Sequence, residues 1–167
     1  INTYTVTFKV SGKSDVIRTV DYNTKTTTPT NPVKSGYKFM GWYTSAGNKF
    51  SADSPITGNA TYTARFYSTN AYLKKISASA GSWRPKFSKI SYSYTVTLAK
   101  TKAKVKLTAY RADSKAKVSW STDKMKWVSG SSKTISVSKG KTKYVYFKVT
   151  SQSGATKIYK VKVHRKR

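Results

Sequence analysis

The stretch Tyr4-Thr5-Val6-Thr7-Phe8-Lys9-Val10 alternates with a period of two. Extended, it sends Tyr4, Val6, Phe8 and Val10 to one face and Thr5, Thr7 and Lys9 to the other, the pattern of a half-buried strand. Next comes Ser11-Gly12-Lys13-Ser14-Asp15, a turn-rich hairpin loop, and then a second candidate strand, Val16-Ile17-Arg18-Thr19-Val20. Pro29, Pro32 and Gly36 break any helix before Tyr37-Lys38-Phe39-Met40-Gly41-Trp42-Tyr43, and Ala60–Phe66 supplies another strand. The second half repeats the style without repeating the sequence. It predicts strands at Ser93–Leu98, Ala103–Tyr110, Ala116–Trp120, Lys133–Val137, Tyr144–Thr150 and Lys157–Val163, separated by turn signals such as Ser129-Gly130-Ser131-Ser132 and Ser151-Gln152-Ser153-Gly154. About seven short strands in roughly 100 residues predict an immunoglobulin-like sandwich. No helical stripe emerges, so the fold class is all-β.

Composition narrows the chemistry. The 167 residues hold 33 Lys and Arg against five acidic residues, all Asp, for a net charge of +28. Glu and Cys are absent and His164 is the single histidine. Cysteine nucleophiles, disulfides, Cys-ligated zinc and two-histidine metal sites are therefore excluded. Surface helices laced by Glu–Lys pairs are excluded as well. The 4 Trp, 13 Tyr and 6 Phe are enough to build compact cores, which argues against disorder despite the charge. Phe8, Trp42, Tyr43, Tyr62 and Phe66 are expected in the core of the first half.

Charge is distributed unevenly. Residues 1–70 hold eight Lys or Arg and three Asp, a net of +5, whereas residues 71–167 hold 25 and two, a net of +23. The shift falls beside the polar connector Tyr67-Ser68-Thr69-Asn70-Ala71, which divides the chain into domains at 1–69 and 70–167. No run approaches the roughly 18 apolar residues of a membrane-spanning helix, so no membrane insertion is expected. The chain opens without an initiator Met or a secretory leader pattern and is expected to be a monomeric fragment processed from a longer exported protein.

Two family resemblances follow from these segments. Residues Tyr4–Phe66 resemble the Listeria–Bacteroides repeat of internalin-type surface proteins. The matching features are Tyr4-Thr5-Val6-Thr7-Phe8, Pro29, Asn31-Pro32, Lys34-Ser35-Gly36-Tyr37-Lys38-Phe39-Met40-Gly41-Trp42-Tyr43 and the closing run Asp53–Phe66. That resemblance implies a small β-grasp-like module used as a spacer or adhesive unit. Residues 72–165 are similar to the bacterial cadherin-like β-sandwich domain. Here the pattern is Leu73-x-x-Ile76, Ala80-Gly81-Ser82-Trp83-x-Pro85-x-Phe87, Tyr92-x-Tyr94-Thr95-Val96, Lys139-Gly140 and Tyr159-Lys160-Val161-x-Val163-x-Arg165. Trp83 stands where that family has a smaller aliphatic residue. Calcium is not implied, because Asp113 and Asp123 cannot supply a carboxylate-rich site of six to eight oxygens. Together the two resemblances imply an accessory tract of a large extracellular or wall-attached protein of a Gram-positive bacterium.

Catalysis has little to work with. Asp15, Asp21, Asp53, Asp113 and Asp123 lie mostly in turn-like segments, where Asp is favoured for backbone hydrogen bonding, and no nucleophile, P-loop or dinucleotide motif is present. No catalytic residue, metal ligand or cofactor is expected. The cations carry the main signal. Lys100, Lys102, Lys104 and Lys106 recur at every second position and in a strand project from one face at about 6.6–6.8 Å spacing. Lys115 and Lys117 add a pair, and Lys157, Lys160, Lys162 and Arg165 mark the last strand. Solvated faces and edge protection account for scattered Lys, but ordinary surfaces intersperse both signs, and this one does not. These ten residues form the expected binding set for a polyanion, with Trp127 a stacking candidate beside Lys124 and Lys126. Trp120 shares the phase of Val118 and is expected in the core. The expected partner is an anionic cell-wall polymer of the teichoic acid type. A ligand-free structural spacer and a host-directed adhesin for sulfated glycans or protein receptors are the alternatives. Nucleic acid is expected to bind only non-specifically, since no base-reading element is present.

Overall fold

The computed structural model describes residues 2–167; Ile1, first residue of the expected first domain, lies outside them. All thirteen elements among the described residues are strands. The chain divides into two compact units after Ser68.

The first unit is one mixed sheet of β1 (Thr3–Lys9), β2 (Val16–Asp21), β3 (Tyr37–Tyr43) and β4 (Ala60–Ser68), in the order β2-β1-β4-β3. Strands β1 and β4 run parallel and the other pairs antiparallel, an order compatible with a β-grasp, although residues 22–36 between β2 and β3 contain no helix. One face is buried by Val6, Phe8, Val20, Trp42 and Ile56. Phe8 sits at the centre, 5.1 Å from the Trp42 ring, 5.3 Å from Phe50 and 5.9 Å from Tyr62. Phe39 and Trp42 are three residues apart, so simple alternation puts them on opposite faces. A β-bulge between Phe39 and Gly41 inserts one residue, returns both rings to the core side and sets them edge to face at 5.5 Å. Gly41 has φ +122°, a conformation that L side chains rarely adopt, so any side chain there is strained and the bulge favours glycine. The same shift overturns one expectation. Tyr43 follows the inward Trp42, lies on the opposite face and stacks under the Arg65 guanidinium at 3.9 Å. Phe66 is only half-buried, against Phe39 at 5.6 Å.

The second unit is a two-sheet β-sandwich. Strands β5 (Leu73–Ala78), β8 (Lys104–Arg111) and β11 (Ser132–Ser136) form a three-stranded sheet in the order β11-β8-β5. The other sheet has six strands, β6 (Ser82–Arg84), β7 (Ser93–Leu98), β9 (Lys117–Ser121), β10 (Val128–Ser129), β12 (Thr142–Thr150) and β13 (Thr156–Arg165), in the order β10-β9-β12-β13-β7-β6. Alternate residues fill the interior: Val105, Leu107 and Ala109 from β8; Tyr94, Val96 and Leu98 from β7; Val145, Phe147 and Val149 from β12; Tyr159, Val161 and Val163 from β13. Trp83 and Trp120 pack against this core, and Trp83 meets the Tyr94 ring edge-on at 6.0 Å.

Two buried tyrosines fasten the irregular segment ahead of β7. The Tyr94 hydroxyl donates to the Ser88 and Ser91 carbonyls, and the Tyr159 hydroxyl accepts from Leu73 N–H at 3.0 Å and donates to Lys89 O. Burial raises both phenols above their ordinary range, keeping these donors protonated.

Truncating a core side chain tests whether each unit has its own cooperative transition. Phe8→Ala should cost the first unit about 3–5 kcal/mol and Leu107→Ala the second about 2–5 kcal/mol, each leaving the other melting transition in place. Calorimetry of the full chain and of fragments 1–68 and 69–167 measures this. Two transitions that shift together in either variant would rule out independent folding.

Candidate functional site

Burial on one side of β12 and β13 dictates what the outer face of the six-stranded sheet presents. Because Val145, Phe147 and Val149 point inward, Tyr144, Tyr146 and Lys148 point outward. On β13 the inward Tyr159, Val161 and Val163 leave Ile158, Lys160 and Lys162 outward. Register sets Tyr144 opposite Lys162, Tyr146 opposite Lys160 and Lys148 opposite Ile158. The neighbouring strands continue this face with Lys117 and Ser119 from β9 and Ser93 and Thr95 from β7. None of the six strands contains an acidic residue.

Ammonium groups sit on the aromatic rings of this face. Lys160 Nζ lies 4.6 Å from the Tyr144 centroid, Lys124 Nζ 4.9 Å from Tyr146, and Lys148 Nζ 4.3 Å from Trp127. Each ring thus holds a cation beside it at the distance of a cation–π contact. The result is a flat lattice of cations and half-exposed rings rather than a cleft.

The expected binding set does not come together on this face. Strand β8 begins at Lys104, so Lys100 and Lys102 lie in the preceding turn, where Lys102 N–H donates to Ala99 O at 3.0 Å. The four-lysine ladder is therefore corrected to two strand positions, Lys104 and Lys106. Those two face outward from the three-stranded sheet, with Lys75, and hence away from Lys117, Lys160 and Lys162 across the sandwich. Lys115 occupies the turn before β9, its N–H held by Asp113 Oδ1.

Parity corrects two residues on β13. Lys157 and Arg165 have odd numbers, like Tyr159, and so belong to the inward phase at the two ends of the strand. The Lys157 ammonium lies 4.5 Å from the Tyr72 ring and 5.3 Å from Tyr92. Hydrogen bonding to Tyr92 is the chief influence holding it above the ordinary lysine range. The Arg165 guanidinium donates to Lys100 O through both Nη2 and Nε, and to Val137 O through Nη1. Arg165 is a tie between backbone segments, not a free cation. Trp127 does lie on the cationic face, beneath Lys148, while Trp120 packs inward under Lys133 at 3.9 Å. Sequence alone does not single out Lys148, Tyr144 and Tyr146, because Lys148 stands alone among uncharged neighbours. The alternation Tyr144-x-Tyr146-x-Lys148 was the available signal.

Comparison with known families bears on the context of this face. Residues 57–166, well over half of the chain, match the cadherin-like beta sandwich domain. The chain belongs to that family. Residues 4–65 match the Listeria-Bacteroides repeat domain. The two matches overlap at residues 57–65, which enter β4, a strand that the structure pairs with β1 and β3 of the first sheet. Both domain types are typical of extracellular or surface proteins, which makes the chain an extracellular surface-protein module, and domains of these types are typically non-catalytic.

The cadherin-like sandwich carries its acidic groups in loops. Asp123 lies in the turn between β9 and β10, and its carboxylate accepts from Met125 N–H at 2.8 Å, Lys126 N–H at 3.0 Å and the Ser121 hydroxyl at 2.9 Å. These bonds, those from the Lys126 and Met125 backbone foremost, hold the carboxyl below the usual aspartate range. The turn they shape carries Lys124 and Trp127 onto the cationic face. A depressed carboxyl adds stability above its ordinary value and loses it as pH falls through the lowered midpoint.

Ser121→Ala removes one donor to that carboxylate. The Asp123 midpoint followed by carbon-13 NMR should rise toward the ordinary aspartate value while the sandwich stays folded. An unmoved midpoint would show that the backbone donors suffice alone.

Proposed function

We propose that the cadherin-like sandwich binds an anionic cell-wall polymer of the teichoic acid type, anchoring or positioning a larger protein at the wall of a Gram-positive bacterium. The observation that supports this most is the acid-free outer face of the six-stranded sheet, with Lys148, Lys160 and Lys162 on its strands and Lys124 over Tyr146. Alternate strand positions lie about 6.6–6.8 Å apart, a spacing that suits successive negative charges along an extended chain. Contacts of this kind are charge-assisted and release counterions, so affinity accrues from many weak contacts. Aromatic rings hold several of these ammonium groups in place, which lowers the entropy lost when a ligand engages them.

The test compares two charge-matched variants of the full chain. One changes Lys124, Lys148, Lys160 and Lys162 to Gln; the other changes Lys9, Lys13, Lys25 and Lys34 of the first unit. Binding to teichoic-acid-bearing walls and to duplex DNA is measured against salt. The first variant should weaken binding to both and flatten the log–log salt slope on DNA by about 0.9 for each lost phosphate contact. The second should change both far less. Equal losses would mean a diffuse charge effect without a site. Failure of the intact chain to bind walls at physiological salt would leave the spacer reading standing.

A further inference from the structure

At the edge of the sandwich where β8 approaches β9, the surface opens into a cavity of about 510 Å³. Three cations line it, Lys74, Arg111 and Lys117, together with Tyr110 and the Ser129–Ser131 segment, and no carboxylate does. Three local features shape it, two irregularities of the backbone and one side-chain tie.

The first is a bulge in β5. Leu73 pairs with Arg111 and Lys75 with Tyr110, so Lys74 is the extra residue that the ladder leaves out. Bulges of this kind re-aim a side chain, and Lys74 is among the residues that line the cavity. The second is a tie on Arg111. Its Nη1 donates to Ala116 O at 3.0 Å, which fixes the orientation of a guanidinium that retains further donors for a ligand. The third is the strap at Gly130, with φ +141°. Gly130 N–H donates to Val118 O of one sheet, while Ser131 O accepts from Ala109 N–H of the other. The strap closes one wall and brings Ser129 and Ser131 to the rim.

We propose that this cavity seats a single anionic sugar unit, a pyranose bearing a phosphate or sulfate group. Lys74, Lys117 and the Arg111 fork receive the anionic group, since planar guanidinium and tetrahedral oxyanions match in two-pronged geometry. Tyr110, an exposed ring, provides a face for the apolar side of the sugar. Ser129 and Ser131 can bond its hydroxyls. The volume lies within the about 300–1,000 Å³ of small-molecule sites, too large for a bare oxyanion alone. This goes beyond the flat cationic face: it is a one-to-one, shape-bearing site that stands or falls separately from polymer binding.

Amide chemical-shift titrations of the full chain in about physiological salt test it. The probes are glucose 6-phosphate, glucosamine 6-sulfate, inorganic phosphate and glucose. The two anionic sugars should give saturable shifts confined to residues 74, 109–111, 117–118 and 129–131. Arg111→Gln should weaken them about tenfold or more, as loss of a charge-assisted contact does. Lys74→Gln, at a bulged exposed position, provides the same test if the first variant is poorly folded. Tyr110→Ala should weaken glucose 6-phosphate and leave inorganic phosphate unchanged, and the Lys160→Gln, Lys162→Gln double variant should leave every titration as in the native chain. Non-saturating shifts scattered over the lysines would overturn the site. Inorganic phosphate binding as tightly as the sugar phosphate, with Tyr110→Ala indifferent, would overturn its sugar specificity.

Discussion

Phe147, Val145 and Val149 of β12 have no exposed surface, and their burial between the two sheets sets the rest of the sandwich. Moving β12 by one residue would carry Tyr146 and Lys148 into the interior and these three side chains into water. The cost of burying an unpaired ammonium makes that register inaccessible. Burial of one phase therefore selects the outward phase, and the same argument runs through β13, β7 and β8. Cations reach the surface in rows because their neighbours are needed inside.

A chain with a net charge of +28 must still fold against its own repulsion. Pairing across the sheets shows how the local part of that cost is limited. Lys162 faces Tyr144, Lys160 faces Tyr146, Lys148 faces Ile158 and Ser119, and Lys117 faces Thr150. On the other sheet Lys104 faces Ser136, Lys106 faces Thr134 and Lys75 faces Tyr110. Like charges directly opposite would destabilise each pair, and these strands avoid that arrangement. Rings take the place that acidic partners hold on ordinary surfaces: a quadrupole attracts an ammonium without cancelling its charge. The surface keeps its full positive field and stays compact.

The legible part of the fold was the part in which alternation is unbroken. Ser93–Leu98 runs from end to end in strict period two, and its bounds are the same in sequence and structure. Leu73 and Ile76 are both buried at a spacing of three because Lys74 is bulged out, so β5 carried no period-two signal. β6 and β10, three and two residues long, are too short for any periodicity. The candidate site suffered from the same limitation in another form. Lys100 and Lys102 continue the spacing of Lys104 and Lys106, but the chain is turning there, and spacing alone does not report where a strand begins. Proximity in sequence groups Lys157 and Arg165 with Lys160 and Lys162, although parity places them in the opposite phase. The lattice of Tyr144, Tyr146, Lys148 and Trp127 depends on pairing between distant segments, which one strand's pattern does not contain.

Arg165 shows why a count of positive residues overstates what a ligand can use. Its guanidinium donates three hydrogen bonds to two carbonyls, joining the end of β13 to the turn at Lys100 and to Val137 beyond β11. Lys is a poor substitute in such a role, because a single ammonium lacks the planar fork that spans two carbonyls. Arg111 stands at an intermediate point, with one bond to Ala116 O and a place in the lining of the cavity. Lys160 and Lys162 carry only their strand's geometry and the rings beside them. The same formal charge thus performs three tasks, set by how many backbone carbonyls lie within reach. The two guanidinium ties, Arg111 and Arg165, stand at strand ends, where carbonyls are left unpaired by the sheet, whereas Lys148, Lys160 and Lys162 stand inside their strands, where the ladder already satisfies the backbone.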